Sequence, residues 1–307
     1  MNKAQREVQQ ALLDNEKAVL KKLEKNYKDA LSEIETRIAI LKGRNDANLM
    51  NVVYQIEYQQ ALKTQVSAIL EQLQTKNFDS LSEFLTDAYN TGYLGCMYDL
   101  NKQGIPLIVP ISQDAVVKAI QHETKLSESL YTSLGKDTKE LSKHIAHEIS
   151  RGISNGASNY EMARNIKWYS DIPKNRAMTI ARTESHRIQC KATADAQHVA
   201  KENGADVVKQ WDAALDGSTR DSHRKLDGQI RELDEPFEVD GMTAMQPGGF
   251  GDPAEDCNCR CALLQRARWA LGQAELDTLK DRAAYFGLDK TKDFEDFKTK
   301  YMKATTK

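Results

Sequence analysis

The chain has little of what marks the specialised protein classes. Proline and glycine supply 6 and 16 of its 307 residues, too few for a collagen-like or low-complexity chain. Aromatics make up 7%. No run approaches the 18 or so uncharged apolar residues of a membrane span. The opening stretch, MNKAQREVQQALLDNEKAVLKK, lacks an apolar h-region, so no secretory signal is expected. There are 5 cysteines, an odd number with three clustered, which suits a reduced cytoplasmic product better than a disulfide scaffold. Against these absences, 40% of the chain is hydrophobic and 29% charged, the profile of a helix-rich globular protein with a real core.

A net charge of −2 hides a segmental pattern. Residues 1–44 carry 10 Lys/Arg against 7 Asp/Glu, residues 266–307 again 10 against 7, and residues 206–265 carry 6 against 13. The chain lacks the overall basic excess of a nucleic-acid binder. Its basic ends can be read as phosphate contacts or as solvated helix faces.

Helical periodicity dominates the first half. Leu20, Leu23, Tyr27, Leu31, Ile34, Ile38 and Leu41 recur at three- and four-residue spacing, as an amphipathic helix requires. Lys42-Gly43-Arg44-Asn45-Asp46 reads as a stop and restart. Leu49, Val52, Ile56, Leu62, Val66, Ile69 and Leu73 form a second stripe. The expectation is a helical hairpin arm over 1–75, packed on itself or docked on a partner. A domain of shorter helices follows over 76–169, interrupted by the extended Gly104–Pro110 stretch. Ser112 and Asp114 open one of these helices, Gly135 separates two more, and Ser158 with Glu161 has capping-box spacing.

Asp171 and Pro173 resemble a helix start and Gly204 its stop, giving about 30 helical residues. Ile180, Glu184, Ile188 and Val199 then share a face, which places Glu184 on the apolar stripe. A carboxylate there is either locked in an ion pair, since burying it alone costs several kcal/mol, or serves as a ligand or acid/base group. Val207–Leu215 alternates weakly, as a strand that ends at the turn dipeptide Asp216-Gly217. Ser218 and Asp221 predict a capped short helix closed by Gly228, with Arg220, His223 and Asp227 on one face and His223 beside Asp216. Residues 229–256 read as loop. Cys257–Leu264 reads as a strand, and 266–307 as a helical basic tail, frayed at its end.

The spacing C-x-C-x-C is not that of a standard zinc finger. On a straight strand, side chains two apart lie about 6.6–6.8 Å from each other, whereas Zn–S bonds are about 2.3 Å. Cys259 and Cys261 could reach one metal together with His223, leaving a fourth position to Cys257 across a bend, an acidic side chain or water. Two other readings stay open: cysteines packed inward as small hydrophobes, and a disulfide. Asp216, Arg220, His223 and the cysteines are also the residue types of metal-assisted hydrolysis. The standard hydrolase, P-loop and deaminase signatures are absent, and a polar cluster that fixes loops explains the same residues.

Five short strings follow one another in order: Ala181-Arg182-Thr183-Glu184, Trp211-Asp212-Ala213-Ala214-Leu215-Asp216, Thr219-Arg220-Asp221-Ser222-His223, Leu226-Asp227-Gly228 and Asn258-Cys259-Arg260-Cys261. That succession resembles the Mu F-like head-morphogenesis domain of tailed phages, over roughly 170–265. The resemblance implies a mainly α protein with a small α+β module, a helical N-terminal half and a loop-rich head-morphogenesis domain at 170–265. It implies a minor head protein without enzymatic activity, made in the host cytoplasm, that binds the portal protein and other procapsid components. Inside the virion head such a protein would support assembly and genome ejection; the basic ends, 1–44 and 266–307, would add weak contact to packaged double-stranded DNA, and no membrane contact is expected. The toxin extension of some relatives is not expected. The family's string ends in N-C-R-C, which makes Cys257 the weakest metal candidate. Arg182, Glu184, Asp216, Arg220, His223, Asp227 and Arg260 form the polar cluster, with zinc the candidate cofactor. The competing class is a Cys/His metal-dependent hydrolase acting in the phage head.

Overall fold

The structure is a computed structural model that describes residues 1–43, 52–122, 127–154, 159–267 and 273–305. Helices α1 (Lys3–Gly43), α2 (Val52–Lys102), α3 (Gln113–His122), α4 (Ser127–Ser154) and α5 (Asn159–Glu202) lead into strand β1 (Val207–Asp212). Then come α6 (Asp221–Leu226), β2 (Ile230–Arg231), β3 (Phe237–Val239), β4 (Met242–Ala244), α7 (Pro253–Asp256), β5 (Ala262–Ala267), α8 (Gln273–Tyr285) and α9 (Phe294–Thr305). The architecture is mainly α with a small α+β module, as expected from the sequence.

The chain divides into two compact units. One holds Lys17–Glu83 and Lys125–Ala181; the other holds Met1–Glu16, Phe84–Thr124 and Arg182–Lys307. The first is built from stripes. Leu20, Leu23, Tyr27, Ile34 and Ile38 of α1 and Val66, Ile69 and Leu73 of α2 are buried at the anticipated spacing; Leu49 lies outside the described residues, as do the side chains of Leu41, Val52, Ile56 and Leu62. The anticipated divisions at 75/76 and 169/170 fall inside continuous helices, because α2 and α5 run through them.

Two helix boundaries differ from the expectation. Gly135 does not separate helices: α4 runs through it, and a Cβ there would meet Gln74 Nε2 at 3.0 Å. Pro173 does not begin α5, which starts at Asn159 and spans 44 residues. An interior proline costs a helix about 3 kcal/mol, which the burial of Ile166, Ala177 and Ala181 along the same helix offsets. The capping-box Ser158 lies outside the described residues. At the far end the expectation holds, since Gly204 stops α5 with φ +87°.

The buried face of α5 is also not the anticipated one. It runs through Ala177, Ala181, Ile188, Ala192, Ala196 and Ala200, each at most 1% exposed, while Ile180 and Val199 are half-buried. Small residues permit close approach in the second unit: a Cβ on Gly92 would lie 2.6 Å from the Gln189 carbonyl oxygen. There Tyr89 donates to Asp195 at 2.8 Å.

The same unit contains a three-stranded antiparallel sheet, β2-β1-β5, with Lys209 opposite Gln265 and Trp211 opposite Leu263. Strand β1 buries Lys209 beside its apolar neighbours. The Lys209 ammonium donates to the carbonyls of Leu233 and Met245 at 3.0 and 2.9 Å, and burial pulls its pKa down to about 8. These bonds tie down the 229–256 segment. That segment is not plain loop, because Asp240-Gly241 turns β3 into β4. Both turn residues have positive φ, +48° and +80°, the requirement of a two-residue hairpin turn, and Phe237, Val239 and Ala244 are buried.

The C-terminal segment is anchored rather than frayed over its described residues. Phe294, Phe297, Tyr301 and Ala304 of α9 are buried, and the Tyr301 hydroxyl bonds both the N–H and the carbonyl of Val109, at 2.7 and 2.8 Å. Its lysines occupy the remaining faces of an amphipathic helix. Trp269 and Leu271 lie outside the described residues.

Candidate functional site

The site forms where α5, α6 and the cysteine turn meet. Cys259 and Cys261 precede β5 instead of lying on it. Cys257 caps α7, and Asn258 takes a left-handed φ of +54°, a conformation asparagine tolerates better than most residues. The Asn258 N–H donates to the Thr183 hydroxyl at 3.1 Å, so the threonine of the Ala-Arg-Thr-Glu string positions the Asn-Cys-Arg-Cys turn. The straight-strand expectation for the cysteines is thereby corrected: the turn folds both thiols onto one side chain.

That side chain is His223. Its Nδ1 lies 3.3 Å from the Cys261 sulfur and 3.7 Å from the Cys259 sulfur, and all three residues are buried. The three donor atoms lie within 4.8 Å of one another. A tetrahedral zinc with bonds of about 2.0–2.1 Å to nitrogen and 2.3 Å to sulfur needs donor–donor edges of about 3.5–3.8 Å. The residues present fit such an ion with little movement. The other ring nitrogen of His223 faces Glu255 at 3.1 Å, and Ser222 donates to the same Glu255 oxygen at 2.8 Å. A carboxylate behind a ligating histidine fixes its tautomer and orientation. The carboxylate beside His223 is therefore Glu255, not Asp216.

The remaining polar residues brace this centre. Ser218 does not cap α6: its hydroxyl donates to Asp216 at 2.7 Å, and Arg220 stands at the N-cap without a side-chain cap bond. Arg220 instead donates to the Cys257 carbonyl at 2.7 Å. Asp227 accepts the Ala213 N–H at 2.8 Å, holding the exit of β1 to the end of α6. Glu184 is off the buried stripe, half-exposed and bound twice by Arg187 at 3.0 and 2.8 Å. Arg182 and Arg260 both reach Glu16 Oε1, at 3.3 and 3.2 Å. Cys257 is half-buried and lies outside the triad.

Sequence reasoning missed Glu255, Glu16, His186 and Cys190. His186 and Cys190 stand four apart on α5, a one-face spacing that could have flagged them. The His186 ring nitrogen lies 2.6 Å from the Cys261 carbonyl oxygen and 3.7 Å from the Cys190 sulfur. Burial lowers the His186 pKa, but the neighbouring Cys190 and Cys259 sulfurs outweigh it and push the value up to about 10. The two clustered thiols are coupled: a hydrogen bond from Cys261 pulls the Cys259 thiol below its ordinary value against the cost of burial, and Cys261 is pushed up correspondingly. Trp211 and Phe237 pack edge to face beneath, and Trp211 meets the His223 ring edge-on at 5.7 Å.

Residues 143–264, which hold the whole triad, match the family described as Phage Mu protein F like protein. Over this segment the chain is similar to the Mu F-like head-morphogenesis proteins. Minor head protein GP7 of Bacillus phage SPP1 is 34% identical over 184 residues, covering 59% of this chain and 58% of that protein. The protein named NAD(+)--arginine ADP-ribosyltransferase EFV, from Enterococcus faecalis, is 28% identical over 266 residues, covering 86% of this chain and 55% of its own length. An uncharacterized protein of Haemophilus influenzae is 32% identical over 120 residues, covering 39% of this chain and 24% of its own. The chain thus spans less than two thirds of each of these relatives. No solved structure matches it.

Proposed function

We propose that this chain is a minor head protein of a tailed bacteriophage that binds the portal protein and other procapsid components. It is made in the host cytoplasm, stays inside the virion head, and supports assembly and genome ejection by binding rather than turnover. The observation that carries this reading is the family match across 143–264 together with the likeness to a phage minor head protein. Within the module, His223, Cys259 and Cys261 hold a zinc ion, Glu255 orients His223, and the ion's chemistry is structural crosslinking of α6 to the cysteine turn. Arg182, Arg220, Asp216, Asp227, Glu184 and Arg260 keep the surrounding loops in place.

Co-purification with portal oligomer and counting of copies in isolated heads test the assembly role. The full chain should bind portal, and His223→Ala should lower incorporation along with its zinc content. A variant that folds and enters heads yet loses a measurable turnover reaction would favour the hydrolase. Contact with packaged DNA would rest on the basic ends. Because α9 contributes core residues, the test is charge reversal at exposed Lys290, Lys292 and Lys303 rather than truncation. Retention on DNA at low salt should fall, since few phosphates are neutralised, with portal association unchanged.

A further inference from the structure

The charge of the module runs opposite to the charge of its cleft. Residues 206–265 carry 6 basic against 13 acidic side chains. Yet the cleft of about 280 Å3 at the His/Cys centre is lined by Arg182, Arg220 and Arg260, by His223, Cys259 and Cys261 of the centre itself, and by a single carboxylate, Asp216. Asp216 is already engaged, accepting from the Ser218 N–H, the Ser218 hydroxyl and the Thr219 hydroxyl. The three arginines come from three separate segments: α5, the residue ahead of α6, and the cysteine turn.

Each guanidinium has five N–H donors, and among the described residues few are used. Arg220 is fixed by one bond to the Cys257 carbonyl. Arg182 and Arg260 share one oxygen of Glu16 at 3.3 and 3.2 Å, longer than the roughly 2.7–2.9 Å of a firm charge-assisted bond. Glu16 shows that an anionic oxygen can sit between these two arginines, and the length of its bonds shows that it holds them loosely. A planar carboxylate accepts mainly in its own plane, whereas a phosphate offers oxygens to donors arriving from several sides.

We propose that this cleft binds one phosphate group of a small molecule, either free phosphate or a phosphate ester. A duplex would bring about one charge per 1.7 Å of axis against the module's acidic surface, so the cleft suits an isolated phosphate. The inference goes beyond the head-protein role.

Inorganic phosphate titrated into the full chain at constant ionic strength, followed by calorimetry, tests it. Binding should saturate at one site, and Arg182→Gln and Arg260→Gln should each weaken it about tenfold or more, with acetate failing to compete. Glu16→Gln gives the opposite sign: removing the competing carboxylate should tighten phosphate binding, an effect that lost structural support would not produce. A phosphate ester such as glycerol phosphate that binds more tightly than free phosphate would identify an ester as the occupant. Equal binding by the arginine variants, weaker binding by Glu16→Gln, or binding of a short duplex without saturable phosphate binding would overturn the proposal.

Discussion

The unit of long helices and the module around β1 solve the same problem by opposite means. In Lys17–Glu83 and Lys125–Ala181, order comes from repetition: Leu23, Ile34, Ile38, Val66, Leu70 and Leu73 are near-equivalent buried contacts along stripes. In the module, single-copy polar contacts set the path of the chain. Lys209 holds two carbonyls, Asp227 one N–H, Thr183 the cysteine turn, and His223 the two thiols. Repetition spreads a loss over many neighbours. A unique bond to a buried partner has no substitute, and leaving that partner unsatisfied costs about 1–3 kcal/mol or more.

Chelation should separate the two regions most. Structural zinc contributes about 10–16 kcal/mol to folding in finger peptides, and even a fraction of that exceeds the margin of a small module. If the triad holds zinc as proposed, a chelator should shift Trp211 fluorescence toward that of exposed indole while most far-ultraviolet helical signal persists. Purified chain without zinc by elemental analysis, and indifferent to chelator, would assign the module's stability to the Trp211–Phe237 core alone.

Core truncations come next and should be graded by what surrounds them. Phe297→Ala should cost about 3–5 kcal/mol and Ile34→Ala about 2–5 kcal/mol, whereas Ile34→Val should cost only about 0.5–1.5 kcal/mol. Urea midpoints measure all three. A Phe297→Ala midpoint indistinguishable from that of the unaltered chain would mean that α9 is dispensable, contrary to its burial.

The same contrast explains what could be read from sequence. Stripe residues such as Leu23, Tyr27, Ile34 and Val66 announce themselves because a helix repeats every 3.6 residues and burial follows the period. Helix ends were less legible. Gly135 and Pro173 look like breaks, yet tertiary packing overrides a local propensity worth about 1 and 3 kcal/mol respectively. In the site, His223, Cys259 and Cys261 were legible as chemical types. Their convergence was not, since it depends on the positive φ of Asn258. Glu255 and Glu16 carried no local signal: their partners His223, Ser222, Arg182 and Arg260 are distant in sequence.

Asp240-Gly241 was legible in principle as a hairpin dipeptide but was hidden among the prolines and glycines around it. Gly241→Ala tests its role. With φ at +80° and no atom within 4 Å of an added Cβ, the cost is purely conformational, about 1–2 kcal/mol. Urea denaturation should show that loss in the module and none in the helical unit. A neutral substitution would show that the turn relaxes to another type.

The smallest expected effect concerns pH at the Asp216 turn. The hydroxyl and N–H of Ser218, with the Thr219 hydroxyl, hold the Asp216 carboxyl below its ordinary value of 3.8. A carboxylate depressed by folding contributes stability that is fully present above its unfolded pKa and is lost as pH falls through the lower, folded one. The contribution should therefore be constant from neutrality down to about pH 4 and fade below it. Asp216→Asn keeps an acceptor oxygen but cannot titrate, so its thermal midpoint should fall slightly below that of the unaltered chain at pH 6, and the gap should close in acid. Asp234 and Asp296 are depressed in the same way, and acid also releases metal by protonating its ligands. Both effects are common to the two proteins and cancel in the difference between their midpoints. Because the carboxyl is fully exposed, solvent screens it and the gap should be the least of those argued above. A gap that stays the same as pH falls would mean that the turn is held by its backbone, with the carboxylate a bystander.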